Sequence, residues 1–240
     1  MSLIIALAAA TLQAPQPGPV VQVQSKDGPP SEIRQTQDPL KNQLDAAIAL
    51  IRANNPFDAL PILDKVIAAE ESRNRDEKRL IFSARSMMEA ILYAGMGAST
   101  KKAAVVLDGT WSEAYFIKGF ALVDQNRAEE AKAYFDKAIT LAPMNAQFLA
   151  ERGEWYKNRK DWTNAYKDFE SAASAAAFAP DAGKSSEQRR AWRGMAYART
   201  EQGKLDEARQ LLQKCLKLDS TDDKCQHELE YVNGLPAKSN

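Results

Sequence analysis

The stretch Gly119–Pro143, "GFALVDQNRAEEAKAYFDKAITLAP", decides the fold through its spacing. Gly119, Ala131, Phe135 and Ala138 each return 34 residues later, as Gly153, Ala165, Phe169 and Ala172. Two antiparallel helices approach to about 8–10 Å only where small side chains line the contact, and Gly119 and Ala131 supply them. Phe135 then fills the space toward the neighbouring pair. One helical hairpin cannot bury its apolar face alone, so hairpins stack and the pattern recurs once per unit.

Outward from this stretch, Ser112–Asn145 reads as one unit, with Tyr115 at an aromatic position and Pro143 ending its second helix. Ala146–Ala177 reads as the next, matched at Gly153, Tyr156, Ala165, Phe169 and Ala172 but lacking the closing Pro. A third, Arg189–Asp222, matches at Trp192, Ala196, Gly203, Ala208 and Leu212, and departs at Cys215 and Ser220. Together these units resemble the tetratricopeptide repeat family. The resemblance implies an all-α, right-handed superhelical solenoid of helix–turn–helix hairpins that binds a protein or peptide. Its family register places the second, fifth, ninth, twelfth and thirteenth positions on the concave face. Those are Glu113, Phe116, Phe120, Val123 and Asp124, then Gln147, Ala150, Glu154, Lys157 and Asn158, then Arg190, Arg193, Tyr197, Thr200 and Glu201. Family members that clamp a C-terminal carboxylate place Lys and Asn there, and that set is absent. Phe116, Phe120, Glu154, Arg190, Arg193 and Tyr197 are the groove candidates, aromatic and Arg residues being the usual interface anchors. For the two Phe, packing against the preceding hairpin is the competing reading, and for the two Arg, solvated surface charge.

The rest of the chain divides around this array. Leu3–Leu12 is an apolar run ending in small residues, too short to span a bilayer but of signal-peptide length. No Lys or Arg precedes it, so residues 1–14 read either as an export signal or as a short apolar tail. Residues 15–37 hold five Pro and two Gly and read as a disordered linker, against an ordered strand at Val20–Gln24, "VVQVQ", for which no later segment reads as a partner strand. Residues 38–108 read as two degenerate hairpins: helices follow Asp38-Pro39 and Asn55-Pro56, a third spans Arg75–Ala94, and a short fourth runs from Ser99 to Leu107. No segment reads as a convincing strand. Thr110–Glu113, "TWSE", reads as a capping box. Residues 176–188 carry the nine extra residues between Ala165 and Ala208, and read as an inserted loop. Residues 223–234 read as a capping helix and 235–240 as a frayed tail.

Composition narrows the function. Hydrophobic residues make up 45% of the 240, and 32 basic residues balance 32 acidic ones, so no global charge favours nucleic acid or an anionic membrane. His227 is the only His, and Cys215, Cys225 and His227 fit no zinc spacing. Glu151 and Glu154 form an i,i+3 acidic pair of the kind that is ordinarily solvated. No metal, cofactor or enzymatic activity is expected. Cys215 lies as far before one helix turn as Cys225 lies after it, which puts their Cα atoms roughly 4–6 Å apart. They read as a disulfide in an oxidising compartment such as a periplasm, or as two reduced core residues in the cytoplasm. The alternative function is a self-associating structural subunit.

Overall fold

Hairpins of helices dominate the chain, and a small sheet, whose strands flank the first hairpin in sequence, lies in its N-terminal part. The structure, a computed structural model, describes residues 20–24, 28–34 and 39–236. The expected signal segment, the Asp38 cap and residues 237–240 lie outside these. In chain order come β1 (Val20–Val23), β2 (Ser31–Arg34), α1 (Pro39–Arg52), α2 (Pro56–Arg73), β3 (Leu80–Ala84), α3 (Met87–Ser99) and β4 (Ala104–Asp108). The solenoid follows as α4 (Thr110–Asp124), α5 (Ala128–Leu141), α6 (Ala146–Asn158), α7 (Trp162–Ala175), α8 (Asp181–Glu201), α9 (Leu205–Leu218) and α10 (Asp223–Gly234).

The N-terminal reading needs correction in three places. First, the segment expected to be a disordered linker contains β1 and β2, paired antiparallel from Val20↔Arg34 to Val23↔Ser31. Second, the expected third helix begins as β3, and the expected fourth is β4. These two strands pair in parallel, with α3 as the crossover, in a sheet of order β1-β2-β4-β3. "LIFSA" and "AVVLD" are short apolar runs without alternation, which periodicity cannot separate from buried helix. Only α1 and α2 form a hairpin in this region. Third, α3 does not stop at Gly95 but runs through Gly97, where a Cβ would lie 2.7 Å from the Ala104 Cβ. The glycine lets helix and strand touch.

In the solenoid, Ala131, Phe135 and Ala138 are buried, as are Ala165, Phe169 and Ala172. A Cβ on Gly119 would meet the Phe135 ring at 2.6 Å, so the small residue and the ring interlock within one hairpin. Each helical hairpin turns the same way. Asn54, Asn126, Lys160 and Gly203 all have positive φ, each two residues past the end of its first helix. In each, the next N–H closes a Schellman bond, such as Arg127 N to Leu122 O at 2.8 Å and Lys204 N to Arg199 O at 2.8 Å.

Two local readings also change. α4 starts without a side-chain cap from Thr110; instead Asp108 Oδ1 accepts from Thr110 N at 2.9 Å. The expected loop at 176–188 is mostly helical, a 3-10 turn (Ala176–Phe178) followed by the first two turns of α8. That extension carries Glu187 to Arg85, which binds it with Nη1 at 2.7 Å and Nη2 at 3.1 Å, while Arg85 Nε holds the buried Glu89 at 2.7 Å. The start of the third repeat is thereby tied to the junction of β3 and α3.

Candidate partner-binding groove

α6, α8 and α10 lie side by side as the first helices of successive units. Between them is a cleft of about 230 Å³ lined by Glu154 and Lys157 of α6, Arg190, Arg193, Gly194 and Tyr197 of α8, and Lys224 and Glu228 of α10. Four of the six groove candidates, Glu154, Arg190, Arg193 and Tyr197, therefore come together. Helical phase explains this: residues three, four and seven apart share one face.

Four of the six charged groups in the cleft are paired, and Lys224 and Glu228 have no ion-pair partner among the described residues. Glu154 pairs with Lys157, whose Nζ also sits 4.8 Å from the centre of the Tyr197 ring. Arg190 Nη2 donates to Glu151 Oε2 at 2.6 Å, so both acids of the i,i+3 pair are held by cations. Arg193 Nη1 lies 3.2 Å from Asp222 Oδ2, and Arg189 Nη1 holds Asp222 at 2.6 Å and Asp219 at 2.5 Å. Lys224 is exposed and has no ion-pair partner among the described residues. Burial raises the Glu228 carboxyl above the usual range, against the pull of Arg193 and Lys157. Tyr197 is 40% exposed, an aromatic face presented to solvent at the cleft mouth.

Phe116 is not a groove residue. It is 4% exposed, stacks on Phe148 of α6 with centroids 4.5 Å apart, and meets Phe135 at 6.0 Å. α4 is covered on more than one side, packing on α2 and α5, so its aromatic face becomes core between hairpins. Phe120 is half-buried and lies outside the cleft lining. Conversely, Lys224 and Glu228 are cleft residues that a capping role for residues 223–234 does not predict. The signal existed: Lys224 lies 34 residues after Arg190, the second position of a continuing repeat.

Beneath the cleft, Cys215 of α9 and Cys225 of α10 form a disulfide with Cα atoms 6.3 Å apart. Asp222 caps α10 by accepting from Cys225 N at 2.9 Å. The two sulfurs and the Asp222 carboxylate lie within 4.8 Å of one another, but with the sulfurs bonded and Asp222 holding two Arg, this group does not suit a metal. His227 is exposed and outside it. Among the described residues no helix is long and apolar enough to cross a membrane.

The tetratricopeptide repeat profile matches residues 112–145 and 190–222. A search of the curated proteins returns no match. Among solved structures the chain is similar to MamA from Desulfovibrio magneticus RS-1, at 19% identity and a TM-score of 0.53, covering 82% of this chain and 84% of that one. It is also similar to pilF of Pseudomonas aeruginosa, at 13% identity and a TM-score of 0.56, covering 80% of this chain and 67% of that one. At these identities the likeness establishes a shared helical-repeat fold.

Proposed function

Because the chain carries tetratricopeptide repeats at residues 112–145 and 190–222, we propose that it is a scaffold that binds a protein or peptide through the cleft between α6, α8 and α10. One observation supports this above the others: side chains from three successive first helices converge there around an exposed Tyr197. Tyr and Arg are the residue types that anchor interfaces. Mixed charge suits an extended peptide with side chains of both signs. Neither the paired Glu151 and Glu154 nor the exposed His227 forms a base with an orienting partner, so the reading is a non-enzymatic one.

The test is affinity capture from the native cell, followed by a binding titration of the captured partner against Tyr197→Ala and Lys224→Ala. Each change is expected to weaken binding about tenfold or more while leaving the thermal midpoint in place. Unchanged affinity in both variants would remove the cleft from the interface. A second reading, self-association, draws on the exposed Met87, Met88 and Ile91 of α3. Light scattering across dilution, before any capture, separates the two: a stable oligomer favours self-association.

We also propose that the protein works in the cell envelope, after export. The Cys215–Cys225 bond supports this, since disulfides persist in oxidising compartments and are rare in the cytosol. Intact mass of the isolated protein, alkylated after unfolding without reductant, tests it. No added label is expected; two added labels would show free thiols and remove the support for export.

A further inference from the structure

Three cations meet in a second cleft that no acid lines. It has a volume of about 460 Å³ and sits where α7 meets the turn between α8 and α9. Its walls are Thr163, Tyr166 and Lys167 of α7, with Arg199, Gln202 and Lys204. Each of these side chains can donate a hydrogen bond and none is a carboxylate. The cleft shares no residue with the groove between α6, α8 and α10.

The Arg199 guanidinium lies over the Tyr166 ring, with Cζ 3.5 Å from its centroid. Such stacking fixes the plane of the fork before any ligand arrives. Arg199 Nη1 donates to Gln202 Oε1 at 2.8 Å, which occupies the Gln202 carbonyl and leaves its amide as a donor. Arg199 Nε is 2.8 Å from Glu207 Oε2, yet it is buried without a hydrogen bond. Distance and alignment disagree there, and alignment decides: the contact is an ion pair that leaves a donor unsatisfied. Lys204 is 3.6 Å from the same Glu207, and Lys167 has no ion pair among the described residues. Three positive charges, Lys167, Arg199 and Lys204, less one negative charge, Glu207, leave an excess of +2.

We propose that this cleft binds a phosphate group. A phosphate monoester carries about −1.5 to −2 at neutral pH, which matches the excess, and offers three acceptor oxygens. A carboxylate offers two oxygens and a single charge, and would leave part of the donor set unfilled. An Arg held flat beside two flexible Lys supplies one planar contact and two point charges, a combination suited to a tetrahedral oxyanion. The group arrives either on a free small molecule or on a phosphorylated side chain of a partner.

The test uses the full chain, labelled with nitrogen-15 and titrated with inorganic phosphate at constant ionic strength. Saturable shifts are expected at the amides of Thr163, Lys167 and Lys204. The double change Lys167→Gln with Lys204→Gln should weaken phosphate at least tenfold at an unchanged thermal midpoint, whereas Lys65→Gln on exposed α2 should not. A short phosphoserine peptide then distinguishes the sources. Displacement of phosphate by less peptide than phosphate assigns the site to a partner's side chain, and the reverse order assigns it to a free small molecule. Non-saturable shifts, shifts centred elsewhere, or full affinity in the double variant would overturn the proposal.

Discussion

Phe116 shows how one residue can satisfy a pattern and still be misplaced by it. Its repeat position is a groove position, and so is that of Tyr197. Their fates differ because Phe116 has Phe148 stacked on it at 4.5 Å, whereas Tyr197, with Trp162 at 5.9 Å and Lys157 Nζ at 4.8 Å, stays 40% exposed. Phe116→Ala therefore acts on the fold. A buried Phe→Ala change costs about 3–5 kcal/mol, through lost transfer energy and the cavity left behind. Chemical denaturation is expected to show a loss of that size for Phe116→Ala and little for Tyr197→Ala. A stability loss below about 1 kcal/mol for Phe116→Ala would return it to the groove surface. Arg190 and Arg193 were readable as neighbours from helical phase within α8, and Glu154 from the repeat register that sets α6 beside α8. Phe120 shares that register, yet it is half-buried and stays outside the cleft.

Among the elements, the hairpins were legible and the strands were not, and the reason is the range of the interactions. A hairpin is specified by neighbours: Gly119 against Phe135, and a turn residue two places past a helix end. Even so, the turn left little trace in composition, since Lys160 and Asn126 adopt the same left-handed geometry as Gly203. A strand is specified by its partners. Ile33 pairs with Val106, and Phe82 with Val106 on the other side, contacts that no local window contains. "SEIR" is polar at three of its four positions, since of the two inward-facing residues, Ser31 and Ile33, only Ile33 is apolar, so it offers no apolar run to find. The nine extra residues before the third repeat contain Pro180, Gly183 and two Ser, a composition that favours a loop. Pro180 instead stands at the cap of α8, where a missing N–H costs nothing, and Gly183 is tolerated in its first turn.

At the scale of the whole molecule, stacked hairpins behave as a spring. Each joint feels only its neighbours, so a coil of this kind flexes softly and frays from its ends. The bidentate contact between Arg85 and Glu187 changes that mechanics, because it joins residues 102 positions apart. A spring fastened to itself part-way along its length is stiff inside the fastened span and soft beyond it. Glu187→Gln unfastens it without exposing Glu89, whose own bond to Arg85 Nε remains. Hydrogen exchange is expected to quicken in that variant at both anchor points, the first turn of α3 and the opening turns of α8, with α9 and α10 unaffected. Faster exchange at α8 alone would mean that the two ends were never mechanically joined. With the fastening in place, the compliant part of the coil is its C-terminal end, where α10 forms one wall of the cleft proposed above to bind a partner. On that proposal, the wall formed by α10 belongs to the soft end of the coil, while the span between the two anchor points stays at fixed length.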